Sequence, residues 1–339
     1  MPPPPGAPPK CRPRAAEPAA AAMAEFPLIE RIRARAAAHG RGDVVLGIGD
    51  DAALLQPPPG ALLVVAMDTL NDGVHFPAGT DPAMVGWKAL AVNLSDLAAM
   101  GASPAWCTLS LSLPDADPAR VEGVIDGFLT LAAEHGVALV GGDTTRGPLS
   151  VSVTVHGFVA PTRALRRDGA RPGDEVWVSG TLGGAAGALA QWRAGHDMDP
   201  ALRERLERPV PRVALGRALG GIAHACIDIS DGVLADLGHV CEASGVGARL
   251  EVDALPGRAA LAGFDGDVLH ALQATGGDDY ELCFTAPGAA ADAVRAAAAS
   301  AGVEVTRVGV VVEGRGVQAL DASGREWRPE RAGHEHFAP

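Results

Sequence analysis

Lysine is almost absent from this 339-residue sequence, which contains only Lys10 and Lys88. A P-loop nucleotide site requires the pattern G-x-x-x-x-G-K-[ST], and neither lysine lies in one. The Gly-rich segment 180–187 lacks the G-x-G-x-x-G pattern of a dinucleotide-binding fold, and the H-R-D and D-F-G motifs of protein kinases do not occur. A nucleotide bound by this chain is therefore expected to be held by a different phosphate-binding arrangement.

Positive charge and paired cysteines are also scarce. The net charge of −13 argues against non-specific binding to nucleic acid or to an anionic membrane, since both require a cationic surface. The five cysteines (Cys11, Cys107, Cys226, Cys241 and Cys283) include no C-x-x-C, so they indicate neither a disulfide framework nor a zinc site. We expect a cytoplasmic protein that needs metal ions if it handles phosphates.

Long apolar segments are missing as well. No stretch approaches the roughly 20 apolar residues of a membrane helix, so we expect no membrane span. Residues 1–22 are rich in Pro and Ala and predict a disordered extension without the apolar core of a signal peptide. The remaining length, with 47% hydrophobic residues overall, favours two domains, 23–160 and 161–339.

Hydrophobic patterns in the first domain predict alternating helices and strands. Residues 61–68 (ALLVVAMD) predict a buried strand that ends at Asp68. Asp81 followed by Pro82 predicts the start of a helix that closes at Gly101 and carries Asn93 and Asp96 on one face.

The pattern continues to the end of the first domain and then into the second. A helix over 118–135 leads into the strand VALV, which we expect to stop at Gly141–Asp143, and the alternation in 149–159 predicts a half-buried strand. After Pro161, a strand within 170–180, a Gly-started helix and later strands near 248–252, ELCFTA and RVGVVV indicate a second α/β unit. The fold class is therefore α/β, or α+β, with two domains.

Aspartate stands beside glycine in five separate segments. They are GIGDDAALL, MDTLNDG, GGDTTRG, IDISDG and GGDDYE. Each alone has a structural interpretation, because Asp and Gly are ordinary residues of turns and caps. If the carboxylates gather in one place, however, they repel one another and need counter-charge, which Mg²⁺ supplies when it is shared with phosphate oxygens. The glycines would let backbone N–H groups approach those phosphates.

The sequence resembles the thiamine-monophosphate kinases, which belong to the aminoimidazole-ribonucleotide-synthetase-like ATP-binding superfamily. The resemblance runs from about Phe26 to the C-terminal HFAP. It is carried, in order, by GIGDDAALL, DTLNDGVHF, WKALAVNLSDLAAMGASP, GGDTTRGPLSVSVTVHGF, IDISDGVLADLGH and GGDDYELCF. It implies transfer of the ATP γ-phosphoryl group to thiamine phosphate. It also implies a homodimer in which the sheets of two N-terminal α/β domains pair, with a C-terminal α/β domain completing the nucleotide site.

The resemblance also implies roles for individual residues. The implied magnesium ligands are Asp51, Asp68, Asp96, Asp143, Asp228 and Asp231; the implied ATP contacts are Gly142, Asp143, Arg167 and Ser230; the implied substrate contacts are His75, Asp278 and His334. His334 stands where the family often has an aromatic residue that stacks on thiamine. Ala66 and Met67 replace a polar residue before Asp68, so only their carbonyl groups could contact a metal. No general base is expected, because a phosphate monoester is already an anionic nucleophile.

Two other interpretations stay open at this stage. The chain could be another ATP-dependent synthetase of the superfamily, although a selenophosphate synthetase would need a reactive Cys in a mobile N-terminal loop and Cys11 lies in the Pro-rich extension. It could also be a nucleotide-binding regulatory protein without turnover. The presence of Asp51, Asp68, Asp96, Asp143 and Asp231 speaks against the second interpretation, since a decayed site is expected to lose ligands.

Overall fold

The computed structural model describes residues 25–331, except 116 and 258, together with residue 333. The predicted disordered extension and His334 lie outside these described residues. Up to residue 160 the elements are α1 (Glu25–Ala36), β1 (Val44–Leu46), β2 (Leu54–Leu55), β3 (Leu62–Asn71), α2 (Pro82–Ala99), β4 (Ser103–Leu113), α3 (Pro118–His135), β5 (Ala138–Arg146) and β6 (Ser150–Val159). Strands β3 to β6 form a four-stranded sheet in the order β3-β6-β4-β5, and only the β4–β5 pair is parallel.

The helix boundaries follow local capping chemistry. The Asp81 carboxylate accepts the N–H of Ala83 at the start of α2, and Pro82 occupies the first turn, where no N–H is needed. Helix α3 ends at Gly136, which has a left-handed φ of 62°. Both predicted helices are confirmed.

Glycines bring α2 and α3 into close contact. A Cβ at Gly86 would lie 1.9 Å from the carbonyl oxygen of Val124, and one at Gly127 would lie 1.8 Å from that of Ala83. Helix α2 also packs on the four-stranded sheet, so most of its residues are buried. This helix is therefore a rigid support for any side chain that it carries.

Two predicted strands differ from the structure. The strand predicted over 61–68 forms, but the prediction that it is buried is wrong: β3 is an edge strand, and Leu62, Leu63, Val65 and Met67 are all about half exposed. The strand that was expected to stop at Gly141 instead runs on to Arg146, because β4 continues to pair with β5 past a register shift near Thr108.

The rest of the chain forms a second sheet with its own helices. The elements are β7 (Asp174–Ser179), α4 (Gly184–Arg193), α5 (Pro200–Glu207), α6 (Val213–Leu219), β8 (Ala225–Asp228), α7 (Val233–Ser244), β9 (Gly247–Glu251), α8 (Gly266–Thr275), β10 (Leu282–Pro287), α9 (Ala291–Ser300), β11 (Val305–Val312) and β12 (Gly316–Leu320). The sheet order is β12-β9-β11-β7-β10-β8. Mixed helices and sheets on two units confirm the predicted fold class.

Helix α2 joins the two sheets. Leu90 and Leu94 of α2 belong to the same buried cluster as Leu215 and Leu219 of α6. The indole N–H of Trp87 donates to the carbonyl of Pro209 at 3.0 Å. Helix α2 therefore links the part of the chain before residue 160 to the part after it. Among the described residues, no helix is long and apolar enough to cross a membrane.

Candidate active site

Two polar residues of α2 meet the carboxylate at position 68. The side-chain carbonyl of Asn93 accepts the backbone N–H of Asp68 at 3.0 Å, and the Asp96 carboxyl shares a hydrogen bond with the Asp68 carboxyl. The Asn93 amide in turn donates to the carbonyl of Ala89 at 2.9 Å, which fixes its orientation. The prediction that Asn93 and Asp96 share one helix face is confirmed.

A third carboxylate arrives from the second sheet. Asp228 ends β8 and is only 5% exposed. The Ser95 hydroxyl of α2 donates to its Oδ2 at 2.7 Å. Asp68, Asp96 and Asp228 therefore form a cluster, which we call the carboxylate cluster, at the junction of β3, α2 and β8.

The carboxylate cluster carries more negative charge than its surroundings neutralise. Burial raises the pKa of Asp96 to about 8, and the nearby charges of Asp228 and Asp68 act in the same direction. Burial also raises the pKa of Asp68 and of Asp228. The charge of Arg167, an exposed residue, opposes the shift at Asp96 and Asp228 without cancelling it. Asp96 therefore retains a proton near neutral pH.

The chemistry of these donors suits a hard divalent cation. Mg²⁺ prefers carboxylate oxygens, and the hydrogen bond between Asp68 and Asp96 requires a proton that a cation could replace. Within the described residues, no three His, Cys, Asp or Glu side chains are already arranged as a metal-binding group. The cluster thus fits magnesium by donor type and uncompensated charge, and binding would have to draw the carboxylates together.

The loop that follows β8 is held by an aspartate that the sequence interpretation missed. Oδ2 of Asp236, in the first turn of α7, accepts the backbone N–H groups of Ser230, Asp231 and Gly232, each at 3.1 Å. Burial, together with the charges of Asp228 and Asp231, raises the pKa of Asp236 to about 7. The acidic residue four positions after Gly232 was the available signal, since acidic residues favour the first turn of a helix.

Lys88 brings two of the predicted substrate residues, His75 and Asp278, together. The ammonium of Lys88 donates to the backbone carbonyl of His75 and to Oδ2 of Asp278, both at 2.9 Å. The hydroxyl of Tyr280 donates to Oδ1 of Asp278 at 3.0 Å. The N–H of Asp278 donates to the carbonyl of Ser230 at 2.9 Å, which links this group to the loop after β8. We call Lys88, His75, Asp278 and Tyr280 the lysine group.

Electrostatic coupling shows that the two groups adjoin. The charge of His75 lowers the pKa of Asp68 against the dominant effect of burial. Burial raises the pKa of Tyr280, and Asp278, Asp68 and Asp228 add to the shift. Sequence reasoning missed Lys88 and Tyr280, although a lysine in the middle of an otherwise apolar helix was a usable signal.

Two other predicted metal ligands, Asp51 and Asp143, make local contacts on their own segments. Asp143 is exposed on β5 and lines a cavity of about 100 Å³ with Ile48 and Gly142. The Asp51 side chain is exposed too, and its N–H donates to Oδ1 of Asp50 at 2.8 Å. No hydrogen bond or ion pair among the described residues joins Asp51 or Asp143 to the cluster.

Gly142 has a clear local requirement. A Cβ at this position would lie 1.8 Å from the carbonyl oxygen of Leu109 on the neighbouring strand, so no other residue fits the observed backbone. The next residue, Asp143, uses its carboxylate to accept the N–H of Thr144 at 2.9 Å. The close approach of β4 and β5 therefore requires glycine at position 142, and the backbone there carries no side chain that would cover it.

Two family models match the chain. Residues 49–159 match the N-terminal domain of AIR synthase related protein, and residues 171–321 match its C-terminal domain. Together they cover more than half of the sequence and include the residues of both the carboxylate cluster and the lysine group.

Named relatives narrow the family. Thiamine-monophosphate kinase of Salmonella typhimurium is 47% identical over 295 residues, which are 85% of this chain and 90% of that protein. The crystal structure of thiamine-monophosphate kinase from Stenotrophomonas maltophilia is 54% identical, with a TM-score of 0.81 over 88% of this chain and 97% of that one. A structure of AaThiL complexed with AMPPCP and TMP is 32% identical, with a TM-score of 0.71 over 92% and 97% of the two chains. The chain therefore belongs to the thiamine-monophosphate kinase family of AIR synthase related proteins.

Proposed function

We propose that this protein transfers the γ-phosphoryl group of ATP directly to thiamine monophosphate, which gives thiamine diphosphate and completes the biosynthesis of that cofactor. The observation that carries the proposal is the electrostatic interaction between the carboxylate cluster and the lysine group, in which His75 acts on Asp68 and both Asp68 and Asp228 act on Tyr280, in a chain 47% identical to a thiamine-monophosphate kinase. A relative that binds AMPPCP, an analogue of ATP, together with TMP supports the same pair of substrates.

The chemistry requires two anions to approach each other. The phosphate of thiamine monophosphate is itself the nucleophile, so the protein needs charge neutralisation and alignment and no general base. Mg²⁺, when bound, would neutralise the phosphates and bridge them to the protein. We propose Asp68, Asp96 and Asp228 as its central ligands. The outer ligands in the proposal are Asp51, Asp143 and Asp231.

The remaining roles are assigned to groups on either side of this centre. For ATP we propose the uncovered backbone at Gly142, the Asp143 carboxylate, the Arg167 guanidinium and Ser230. Arg167 is suited to the task because its positive charge already reaches Asp96 and Asp228. For thiamine monophosphate we propose His75 and Asp278, with His334 from outside the described residues. A carboxylate at position 278 would favour the positively charged thiazolium ring by simple charge attraction.

We further propose that the protein is a homodimer that works in the cytoplasm. Leu63, Val65 and Met67 alternate along the exposed edge strand β3 and are 52%, 54% and 62% exposed. A long apolar edge strand left open is an aggregation hazard, so a second copy of the chain is a reasonable cover. The free thiols of Cys107, Cys226, Cys241 and Cys283 are compatible with a reducing compartment. Residues 23–160 and 161–339 are the proposed domains.

A chromatographic assay with ATP and Mg²⁺ tests the activity. Thiamine monophosphate is offered in one reaction and unphosphorylated thiamine in another. We expect thiamine diphosphate and an equal amount of ADP in the first reaction only, and we expect Asp143→Asn to lose turnover while remaining folded. Absence of product with folded, ATP-binding protein would contradict the proposal and would favour another acceptor or a regulatory role. A fully active Asp143→Asn protein would contradict its metal assignment.

The dimer has a separate test. Light scattering after size-exclusion chromatography should give twice the chain mass for the wild type. Val65→Asp places a charge in the proposed interface and should shift the protein toward monomer, whereas Val268→Asp changes a similarly exposed valine at 50% exposure on α8 and should leave the mass unchanged. A monomeric wild-type protein would overturn the dimer proposal.

A further inference from the structure

A fully buried lysine lies at the centre of the proposed substrate site. Lys88 is 1% exposed and is among the largest side chains of the described residues that are less than 2% exposed. Burial of an ammonium group is costly unless hydrogen bonds and an opposite charge compensate it. Its partners therefore indicate what the lysine is for.

Those partners belong to two different parts of the fold. The His75 carbonyl lies in the turn after β3, on the four-stranded sheet, whereas Asp278 lies in the loop before β10, on the six-stranded sheet. The distance from Nζ to each acceptor oxygen is 2.9 Å. One ammonium group thus sets the separation between the two loops that carry the proposed thiamine monophosphate contacts.

The loop that carries Asp278 is locally strained. Asp278 and Tyr280 are the non-glycine residues with positive φ in the described chain, at 68° and 50°. Such conformations persist only where the surroundings hold them, and they concentrate at functional sites. Here the holding contacts are Lys88 on Oδ2 of Asp278, Tyr280 on Oδ1, and backbone bonds to Ser230 and Ile229.

We propose that Lys88 is a positioning residue for thiamine monophosphate, which fixes the Asp278 carboxylate and the His75 turn at the separation that the substrate requires, and that Tyr280 assists by fixing the second carboxylate oxygen. This inference rests on the proposed function. Each carboxylate oxygen has a second lone pair, so Asp278 remains able to accept a hydrogen bond from the substrate after both protein bonds form.

Ser95 offers a matched control on the same helix. It lies seven residues after Lys88, so two helical turns place both side chains on one face of α2. Like Lys88, it donates to an aspartate of the second sheet, in this case Asp228 of the carboxylate cluster. Both bonds join α2 to an aspartate of the second sheet, but the Lys88 bond is in the lysine group and the Ser95 bond is in the carboxylate cluster.

Steady-state kinetics on K88M and S95A separate the two ends. For K88M we expect the KM for thiamine monophosphate to rise by at least about tenfold, as for loss of one partner of a buried charged hydrogen bond, while the KM for ATP changes by less than about threefold. For S95A we expect the opposite: a higher Mg²⁺ concentration for half-maximal rate and little change in the KM for thiamine monophosphate. Equal rises in both substrate KM values for K88M would overturn the positioning role.

A double-mutant cycle tests whether Lys88 acts through Asp278. If it does, D278A and the pair K88M/D278A should have the same KM for thiamine monophosphate within about twofold. A purely structural contribution of Lys88 would instead add to the effect of D278A. Additive effects would therefore overturn the inference.

Two further measurements keep the result interpretable. Calorimetric titration with thiamine monophosphate alone should show the same loss of affinity in K88M without any turnover. If K88M does not fold, Y280F decides, because it removes one hydroxyl group; we expect its KM for thiamine monophosphate to rise about threefold or more with the KM for ATP unchanged. An unchanged value overturns the inference. Failure of the wild type to form thiamine diphosphate would overturn the proposed function and this inference together, whereas unaffected variants of an active enzyme would overturn the inference alone.

Discussion

Two acidic centres of the molecule are compensated in opposite ways. Glu281 is fully buried, and its two carboxylate oxygens accept hydrogen bonds from the hydroxyl of Ser179 and the guanidinium groups of Arg205 and Arg212, at distances of 2.5 to 2.8 Å. In the carboxylate cluster, Asp228 is buried, Asp96 is partly buried and Asp68 is exposed. The charges of Arg167 and His75 only partly oppose the raised pKa values, and Asp96, with its pKa raised to about 8, keeps a proton instead.

The difference distinguishes a carboxylate that stabilises the fold from carboxylates that are suited to bind a cation. A buried carboxylate that is paired and fully hydrogen-bonded gains nothing from an added cation, because its charge is already satisfied. Carboxylates that raise one another's pKa can lower their free energy by binding a divalent cation. Glu281 belongs to the GGDDYE segment, and Tyr280 of the same segment is influenced by the charges of Asp68 and Asp228. Position in the sequence therefore does not distinguish the two centres.

Asp96→Asn should give the largest effect and should separate catalysis from stability. We expect turnover to fall by about 10³-fold or more, because one ligand of the proposed metal centre is lost. In the absence of Mg²⁺ at about pH 9, the same variant should unfold at a higher temperature than the wild type, because a repelling charge is removed. Product assays and thermal unfolding measure the two effects. If Asp96→Asn lost both activity and stability, the carboxylate cluster would be a stabilising centre like that of Glu281, and the comparison would be contradicted.

Glu281→Gln should show the reverse behaviour in stability. Removal of the charge leaves the buried guanidinium of Arg205 and the partly buried one of Arg212 without their partner, and we expect the free energy of unfolding to fall by about 3–5 kcal/mol. Urea unfolding checks this value. The matched control is Glu326→Gln, which breaks the exposed pair with Arg328 and should leave the unfolding midpoint unchanged. A change at Glu281 no larger than that at Glu326 would contradict the comparison.

The pH dependence of stability provides a smaller but more specific effect. The pKa of Asp96 rises from its usual 3.8 to about 8 on folding, so between these values the folded protein binds a proton that the unfolded chain lacks. This contribution to stability is complete below the lower value and is lost as pH rises through about 8. Added Mg²⁺ competes with that proton and should therefore raise the unfolding temperature more at about pH 9 than at about pH 6. Thermal scans of the wild type and Asp96→Asn test this, and a Mg²⁺ effect that is equal at both pH values would contradict it.

The sequence predicted most of the fold where signals are local. The Asp81–Pro82 start of α2 and the alternation in β6 need only neighbouring residues, and both elements form as expected. The prediction that β3 is buried was wrong because a strand with apolar residues has the same sequence pattern whether the core of its own chain or a second protein covers it. Strand β4 was not predicted as a separate element, and helices α5, α6, α8 and α9 were also missed; their patterns are short or mixed with Ala.

The candidate site was predictable in its parts and not in its connections. The resemblance named Asp68, Asp96 and Asp228, and the structure brings these three together, while their role as metal ligands stays a prediction. The bond from Lys88 to Asp278 spans 190 positions, so no local pattern could indicate it. Asp236 was missed although its place in the first turn of α7 was a usable signal; its bonds to the N–H groups of Ser230, Asp231 and Gly232 depend on the path of the loop, which the sequence does not show.

We infer that a proton at Asp96 holds the place of magnesium in the carboxylate cluster. The most direct measurement is calorimetric titration of Mg²⁺, in the presence of AMPPCP, in several buffers of different ionisation enthalpy at about pH 7, since the dependence of heat on buffer gives the number of protons released. We predict net proton release on Mg²⁺ binding to the wild type and a smaller release for Asp96→Asn. Tight binding of Mg²⁺ without proton release, or equal release from the two proteins, would contradict the account.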